Sequence, residues 1–321
     1  MAIREIKLGN LDAKKFISEK VQEISAAVGD GCAVNALSGG VDSSVVTMLA
    51  HKALGARLKT YFIENGIMRE GEPKRIVAMF KKMGVPVKLV DARETFFGAL
   101  KGLTDPEQKR QAITDSFYRD VFGRIVRESG ARILMHGTNY TDVEETVAGV
   151  KRQHNILAQL GIDTEQVYGY TVLEPIIQLR KSGVRRVAKA LGLPKDIYSR
   201  PPFPGPALAA RIIGEVTPER VATVRTATKI VEQELASSGA FQCLAILHDD
   251  KVTGVRKGKR DFGQQIEVRS WESTDAVVAS PTPLSFKKLE RLGKRITTEV
   301  AGVVSVTYNI THKPPSTIEA V

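Results

Sequence analysis

No apolar run in this 321-residue chain approaches the about 20 residues that a membrane-spanning helix needs. The opening Met1-Ala2-Ile3-Arg4-Glu5 does not begin a signal peptide, so a cytoplasmic protein is the expectation. Cysteine is nearly absent: Cys32 and Cys243 both lie in apolar, strand-like runs, which suggests buried thiols and excludes a disulfide framework. The five histidines, His51, His136, His154, His248 and His312, are scattered without metal-ligand spacing. Aromatic residues make up only 6%, and no basic stripe is interleaved with them as single-strand nucleic-acid binding would favour. The net charge of +11 therefore points first to small polyanions such as nucleotides, with nucleic acid an unlikely partner. There is no internal repeat and no low-complexity segment.

What is present is concentrated at Leu37-Ser38-Gly39-Gly40-Val41-Asp42-Ser43-Ser44. A short apolar strand, 32–37, runs into it, and a helical pattern from Val45 to Leu54 runs out, closed by Gly55. Strand, glycine turn and helix start aim backbone N–H groups and the positive end of a helix dipole at an anion. Paired glycines let the backbone approach a phosphate closely, and three serines add hydroxyl donors. The plainer reading is an ordinary turn between strand and helix, capped by Asp42 or a serine. A Walker A string, G-x-x-x-x-G-K-[ST], does not occur; Gly254–Arg260 comes nearest and reads as a basic hairpin turn.

From residue 30 to about 192, strand and helix alternate. Strands are expected at 58–63, 85–90, 132–136 and 170–173, with helices over 73–84, 106–128 and up to 191. The fold class is thus α/β, a doubly wound parallel sheet whose ligands lie at the carboxyl ends of its strands. Arg200-Pro201-Pro202-Phe203-Pro204-Gly205-Pro206 cannot continue a helix or a central strand, and it divides the chain into domains 1–200 and 201–321. The second is expected to be a smaller α+β domain. Its helix starts at Thr217-Pro218, strand-like runs fall at 241–247, 252–256, 264–270 and 303–309, and a helix covers 285–300.

SGGVDSS resembles the pyrophosphate-binding PP-loop of the ATP-pyrophosphatases. LSGGVDSSV, Leu103–Arg110, PFPGP followed by Leu208, Ala209 and Arg211, and Lys313-Pro314-Pro315-Ser316-Thr317-Ile318-Glu319 occur in one chain and in this order. Together they resemble the ATP-pyrophosphatase part of the GMP synthetase family. The resemblance implies adenylation of the C2 oxygen of XMP by ATP with Mg²⁺, then displacement of AMP by ammonia to give GMP. It implies that Ser38, Gly39, Gly40, Val41, Asp42, Ser43 and Ser44 hold the phosphates, with Asp42 also the metal ligand. Gly66, Arg69, Gly137 and Thr138 match segments near the nucleotide, with Asp142 shortly after. Lys109 and Arg110 match a mobile lid whose cations reach the polyphosphate, or else lie on a solvated helix face. Lys151, with His154 and Asn155, matches a further basic segment; Asp42, Ser43, Lys109 and Lys151 are the expected catalytic set. Arg211, Lys313 and Glu319 match the XMP site, although Lys313 also reads as a solvated C-terminal charge.

The chain departs from the family pattern at Glu64, His136, Thr141, Ser182, Gly183, Pro201, Ala207 and Ala320, mostly around the acceptor. Alternatives left open are a related PP-loop enzyme acting on another nucleotide or on tRNA, and a non-catalytic nucleotide-binding paralogue. Only about 37 residues precede Ser38, so ammonia is expected free or from a separate glutaminase subunit. A homodimer is expected from the resemblance alone.

Overall fold

The computed structural model describes residues 3–147, 170–201, 203–274 and 276–321. The chain divides into two compact units. The first comprises 1–64, 73–91 and 117–200, and the second 65–72, 92–116 and 201–321.

The elements in chain order are α1 (Ala13–Val28), β1 (Ala33–Ala36), α2 (Val41–Leu54), β2 (Leu58–Glu64), α3 (Glu72–Lys82), β3 (Val87–Asp91), α4 (Arg93–Leu100) and α5 (Pro106–Asp115). After a π-helical turn at Ser116–Phe122 come α6 (Gly123–Ser129), β4 (Ile133–Met135), α7 (Tyr140–Val147), β5 (Thr171–Leu173), α8 (Lys181–Ala190) and α9 (Lys195–Tyr198). The chain then forms α10 (Pro218–Glu234), β6 (Gln242–Arg256), β7 (Lys259–Glu272), β8 (Ser280–Pro281), α11 (Phe286–Glu299) and β9 (Val303–Tyr308).

Among the described residues the first unit carries a five-stranded sheet in the order β3-β2-β1-β4-β5, with every pairing parallel. Parallel strands covered on both faces read as apolar runs, and Ala33 and Val34 of β1 are fully buried. β1 is flanked by β2 and β4, the two directions in which the chain winds outward, so its carboxyl end is the topological switch point. Helix ends follow local chemistry. Asp12 caps α1 by accepting from the Lys14 and Lys15 amides at 2.9 and 3.1 Å, and Gly29 closes it at φ 55°. The expected α/β class is therefore found. The single helix expected over 106–128 is one helical path interrupted by the π turn.

In the second unit β6 and β7 form a long antiparallel hairpin, β8 adds antiparallel to β7, and β9 pairs with β7 in parallel. The two strands expected at 241–247 and 252–256 are one strand with a register shift between Leu247 and Lys251, where His248, Asp249 and Asp250 interrupt the apolar run. Leu244, Trp271, Ala279 and Ile318 form a buried cluster that fastens the C-terminal tail to this sheet. Thr217 caps α10 through the Arg220 amide at 3.3 Å, with Pro218 in the first turn as expected.

Candidate active site

In the first unit, β1 ends in the serine-glycine turn. The Leu37 amide still donates to Tyr61 O of β2 at 2.8 Å, and the chain then reverses into α2. Gly39 sits at φ 80°, and a Cβ there would meet Ile76 Cγ1 at 3.0 Å, so only glycine suits the position. The helix N-cap is Gly40, with no side-chain cap bond. Neither Asp42 nor a serine caps the helix, so the capping expected in the plain-turn reading is not found.

The hydroxyls instead knit the loop. Ser43 Oγ lies 2.9 Å from Ser38 Oγ, accepts from the Ser38 amide at 3.2 Å and donates to Gly40 O at 3.1 Å. Behind it Asn35 Nδ2 donates to Thr47 Oγ1 at 2.6 Å, and that hydroxyl donates to Ser43 O at 2.7 Å, tying strand to helix. Ser44 takes a different place from the one expected of a phosphate ligand. It is fully buried on the core side of α2, and its Oγ has no partner among the described residues. Val41 is likewise buried, so its contribution to an anion site is its backbone.

Asp42, in the first turn of α2, has two unlike oxygens. Oδ2 accepts from the ammonium of Lys181, while Oδ1 is buried with no partner among the described residues. Lys181 opens α8, where the positive end of the dipole disfavours a cation. Sequence reasoning passes over it; a lysine placed against the dipole is the available signal. Arg200 completes the surround, with Nη1 3.4 Å from Gly39 O.

The turn after β4 leans on this loop. A Cβ on Gly137 would lie 3.3 Å from Ser43 N and 3.4 Å from Asp42 C, a tight fit that glycine relieves at this close approach. Thr138, expected near the nucleotide, is buried, its hydroxyl 2.8 Å from His136 Nδ1 and donating to Glu174. Burial pushes the His136 imidazole down to about 4. Burial and the Asp142 charge push the Glu174 carboxyl up, against the Thr138 hydrogen bond. Asp142 Oδ2 accepts from the Asn139 amide at 3.0 Å at the start of α7. Lys151, His154 and Asn155 lie outside the described residues.

The second unit gathers another set. Gly66, at φ 80°, has no room for a Cβ, which would lie 2.5 Å from Phe97 Cε2, and its carbonyl accepts from Arg225 Nη2 at 2.5 Å. The Arg69 guanidinium stacks 3.8 Å from the centre of the Phe203 ring, with Nε on Glu232 at 2.7 Å. The fully buried Arg211 lies 5.0 Å from the same ring and donates to both Glu319 oxygens at 3.2 and 3.4 Å. Arg211 Nη1 is buried without a hydrogen-bond partner among the described residues. Gln242 Nε2 donates to Glu319 at 2.8 Å. In the sequence Phe203 reads as part of a proline-rich break and of the PFPGP motif, with no role of its own, yet it is the platform between the two arginines.

Lys109 and Lys313 are both held by backbone carbonyls. Lys109 is neither a lid cation nor on a solvated face. It is 1% exposed and donates to Ile212 O at 2.8 Å and Gly214 O at 3.0 Å. Burial, reinforced by the Arg220 charge, pushes its ammonium down to about 8. Arg110 reaches the chain end instead, at 2.8 Å from Val321 O. Lys313 donates to Ala276 O at 2.6 Å, so it is not a freely solvated charge.

A glycine-serine turn at the switch point of a parallel sheet, leading into a helix N-terminus, defines the class: a PP-loop α/β protein with an added sheet domain. A family model described as NAD synthase matches residues 11–207, and one described as GMP synthase C terminal domain matches 229–320. A subunit of the GMP synthase [glutamine-hydrolyzing] of Archaeoglobus fulgidus is 49% identical over 309 residues, covering 96% of this chain and 99% of that protein. The subunits of the same name from Methanopyrus kandleri and Pyrococcus furiosus are 43% and 44% identical, over 96% and 95% of this chain and 99% and 97% of theirs. The chain belongs to this family of GMP synthase subunits.

Proposed function

We propose that this chain is the synthetase subunit of a GMP synthase, joining ammonia to XMP at the expense of ATP cleaved to AMP and pyrophosphate. The observation that carries it is the serine-knit turn at the end of β1, with Asp42 and Lys181 at its mouth. The XMP C2 oxygen attacks the α-phosphorus of ATP, and the bond from that phosphorus to the bridging oxygen of pyrophosphate breaks. Ammonia then adds at C2, and AMP leaves with the former C2 oxygen.

The chain's own part in this is positioning and charge stabilisation, without an enzymatic nucleophile. Backbone N–H groups of the first turn of α2, with the Ser38 and Ser43 hydroxyls, receive the departing pyrophosphate. Lys181 supplies the cation that the loop itself lacks. A Mg²⁺ site fits the residues present. Asp42 Oδ1 is an orphaned buried hard oxygen, and among the described residues no cluster of three His, Cys, Asp or Glu forms a fuller cage. That is the sparse protein share usual for Mg²⁺ held mainly by substrate phosphates. When bound, the ion neutralises polyphosphate charge.

The acceptor side is assigned to Arg211, Lys313 and Glu319, with Arg69 on the shared Phe203 platform. In this reading the first unit is the ATP-pyrophosphatase domain and the second, which takes in 65–72 and 92–116 besides the expected 201–321, the acceptor-binding and dimerisation domain of a cytoplasmic homodimer. The relatives are named as one subunit of a glutamine-hydrolyzing enzyme, which supports a separate glutaminase chain as the ammonia source.

The test is pyrophosphate release from MgATP and ammonium, with and without XMP, with the nucleotide product identified. XMP-dependent pyrophosphate with GMP formed is expected. ATP binding without any response to XMP refutes the acceptor assignment. Asp42→Asn lowers the rate by about 10²–10³-fold if its charge organises the site; near-normal turnover removes Asp42 from it.

A further inference from the structure

Beyond the last strand, the tail from Lys313 to Val321 carries two of the proposed acceptor residues but no regular element of its own. It is nonetheless held at intervals. Lys313 and Ala279 exchange backbone hydrogen bonds at 2.8 and 3.1 Å, Ile318 enters the core cluster, and the Val321 amide donates to Ala210 O at 3.1 Å. Between these points one guanidinium holds the backbone. Arg269 Nη1 faces three consecutive carbonyls, those of Thr317, Ile318 and Glu319, at 2.8, 3.4 and 3.5 Å.

Arg269 is itself fixed. It lies in β7, is 9% exposed, and its Nε donates to Glu267 Oε1 at 2.6 Å. Glu267 also accepts from Asn309 Nδ2 at 3.0 Å and meets His248 Nε2 at 2.8 Å. Burial works against the Glu267 carboxylate, but Arg269 and His248 outweigh it and hold its pKa below the usual carboxylate range. A buried ion pair is a weak source of net stability, since packed apolar residues serve as well. What a guanidinium adds is geometry, a rigid planar fork that is always charged. Here it fixes the backbone of Glu319, whose side chain spans Arg211 and Gln242.

We propose that Arg269 is a positioning residue for the acceptor nucleotide, holding the Thr317–Glu319 backbone so that the Glu319–Arg211 pair stands ready before the acceptor arrives. This rests on the assignment of Arg211 and Glu319 to the acceptor. Lysine keeps the charge of Arg269 but cannot reach Glu267 and the carbonyls together.

Arg269→Lys is therefore expected to raise the KM for XMP about tenfold or more, with the KM for ATP within about twofold of the parent. Glu267→Gln, which loosens the anchor, moves the same constant in the same direction by less. A folded Arg269→Lys protein whose KM for XMP stays within about twofold overturns the proposal, as does an equal rise in both KM values. Hydrogen exchange on the unaltered chain gives a reading independent of any variant. The Val321 and Ser316 amides, bonded to Ala210 O and His312 O, should be protected without XMP. Free exchange until XMP is added overturns a preset tail. An unaltered chain with no XMP-dependent turnover refutes the functional reading instead, and the exchange result still decides whether the tail is held.

Discussion

His136 is flanked by Tyr118, whose hydroxyl lies 3.4 Å from Nε2, and by Thr138, 2.8 Å from Nδ1. With Thr138 donating onward to Glu174, the imidazole serves as donor at Nδ1 and acceptor at Nε2, which is its neutral form. An unfolded histidine takes up a proton near pH 6.5, whereas burial holds the folded one unprotonated to about 4. Between these values the unfolded state binds more protons, so this residue lowers stability as pH falls from 6.5 to 4 and adds no further slope below. The loss is at most about 3 kcal/mol. His136→Gln removes the titration, so the stability advantage of the parent over this variant should shrink steadily across that window. Denaturant unfolding at several pH values measures it, and parallel curves for the two proteins would show a solvated imidazole. None of this is legible in the sequence, where His136 stands as one of five scattered histidines and as a departure from the family pattern. Tyr118 and Glu174, which complete this surround beside the neighbouring Thr138, lie on other sequence segments. The same holds for Asp42 and Lys181, a contact spanning 139 positions. Local motifs reveal which backbone faces an anion, but not which distant side chain completes it.

At the level of elements, legibility follows local signals. Parallel strands buried on both faces announce themselves as apolar runs, and Gly55, Gly84 and Gly192 mark helix ends as glycines with positive φ. Where the pattern is weak the reading fails. α1 buries only Phe16, Ile24 and Val28 along 16 residues, too narrow a stripe to stand out, and α4 gives no helix signal of its own. The hairpin turn near residue 257 is legible because glycine and basic residues interrupt two strand-like runs. Its geometry makes a further prediction. β6 ends at Arg256 and β7 starts at Lys259, leaving Lys257 at φ 50° and Gly258 at φ 75° as a two-residue loop of the I′ kind. Glycine meets that demand without cost, while lysine at a positive φ costs about 1 kcal/mol. Lys257→Asn should therefore stabilise the chain by about 0.5–1 kcal/mol, read as a raised denaturation midpoint with unchanged slope. A lower midpoint would mean that the lysine side chain, not the backbone, governs this turn.

For the molecule as a whole, the decisive scarcity is thiols. Liberating ammonia from glutamine through a cysteine requires an accessible nucleophile with a lowered pKa. Cys243 is opposite in character: burial pushes its thiol up, outweighing the hydrogen bonds of Ser270 and Ser238. Cys32, half-buried, immediately precedes β1. Adenylation and attack by a free amine need no thiol. The 321-residue chain should therefore form GMP from XMP, MgATP and ammonium, and form none when glutamine replaces ammonium. Because the neutral amine is the attacking species, the ammonium-dependent rate should climb with pH as the free-base fraction grows. The Cys32→Ser, Cys243→Ser double variant should retain that activity, which separates amination from thiol-dependent sulfur transfer to another acceptor. GMP formed from glutamine by the chain alone would refute the two-subunit reading. Loss of the ammonium reaction in a folded double variant would place a cysteine in the chemistry and reopen the choice of acceptor.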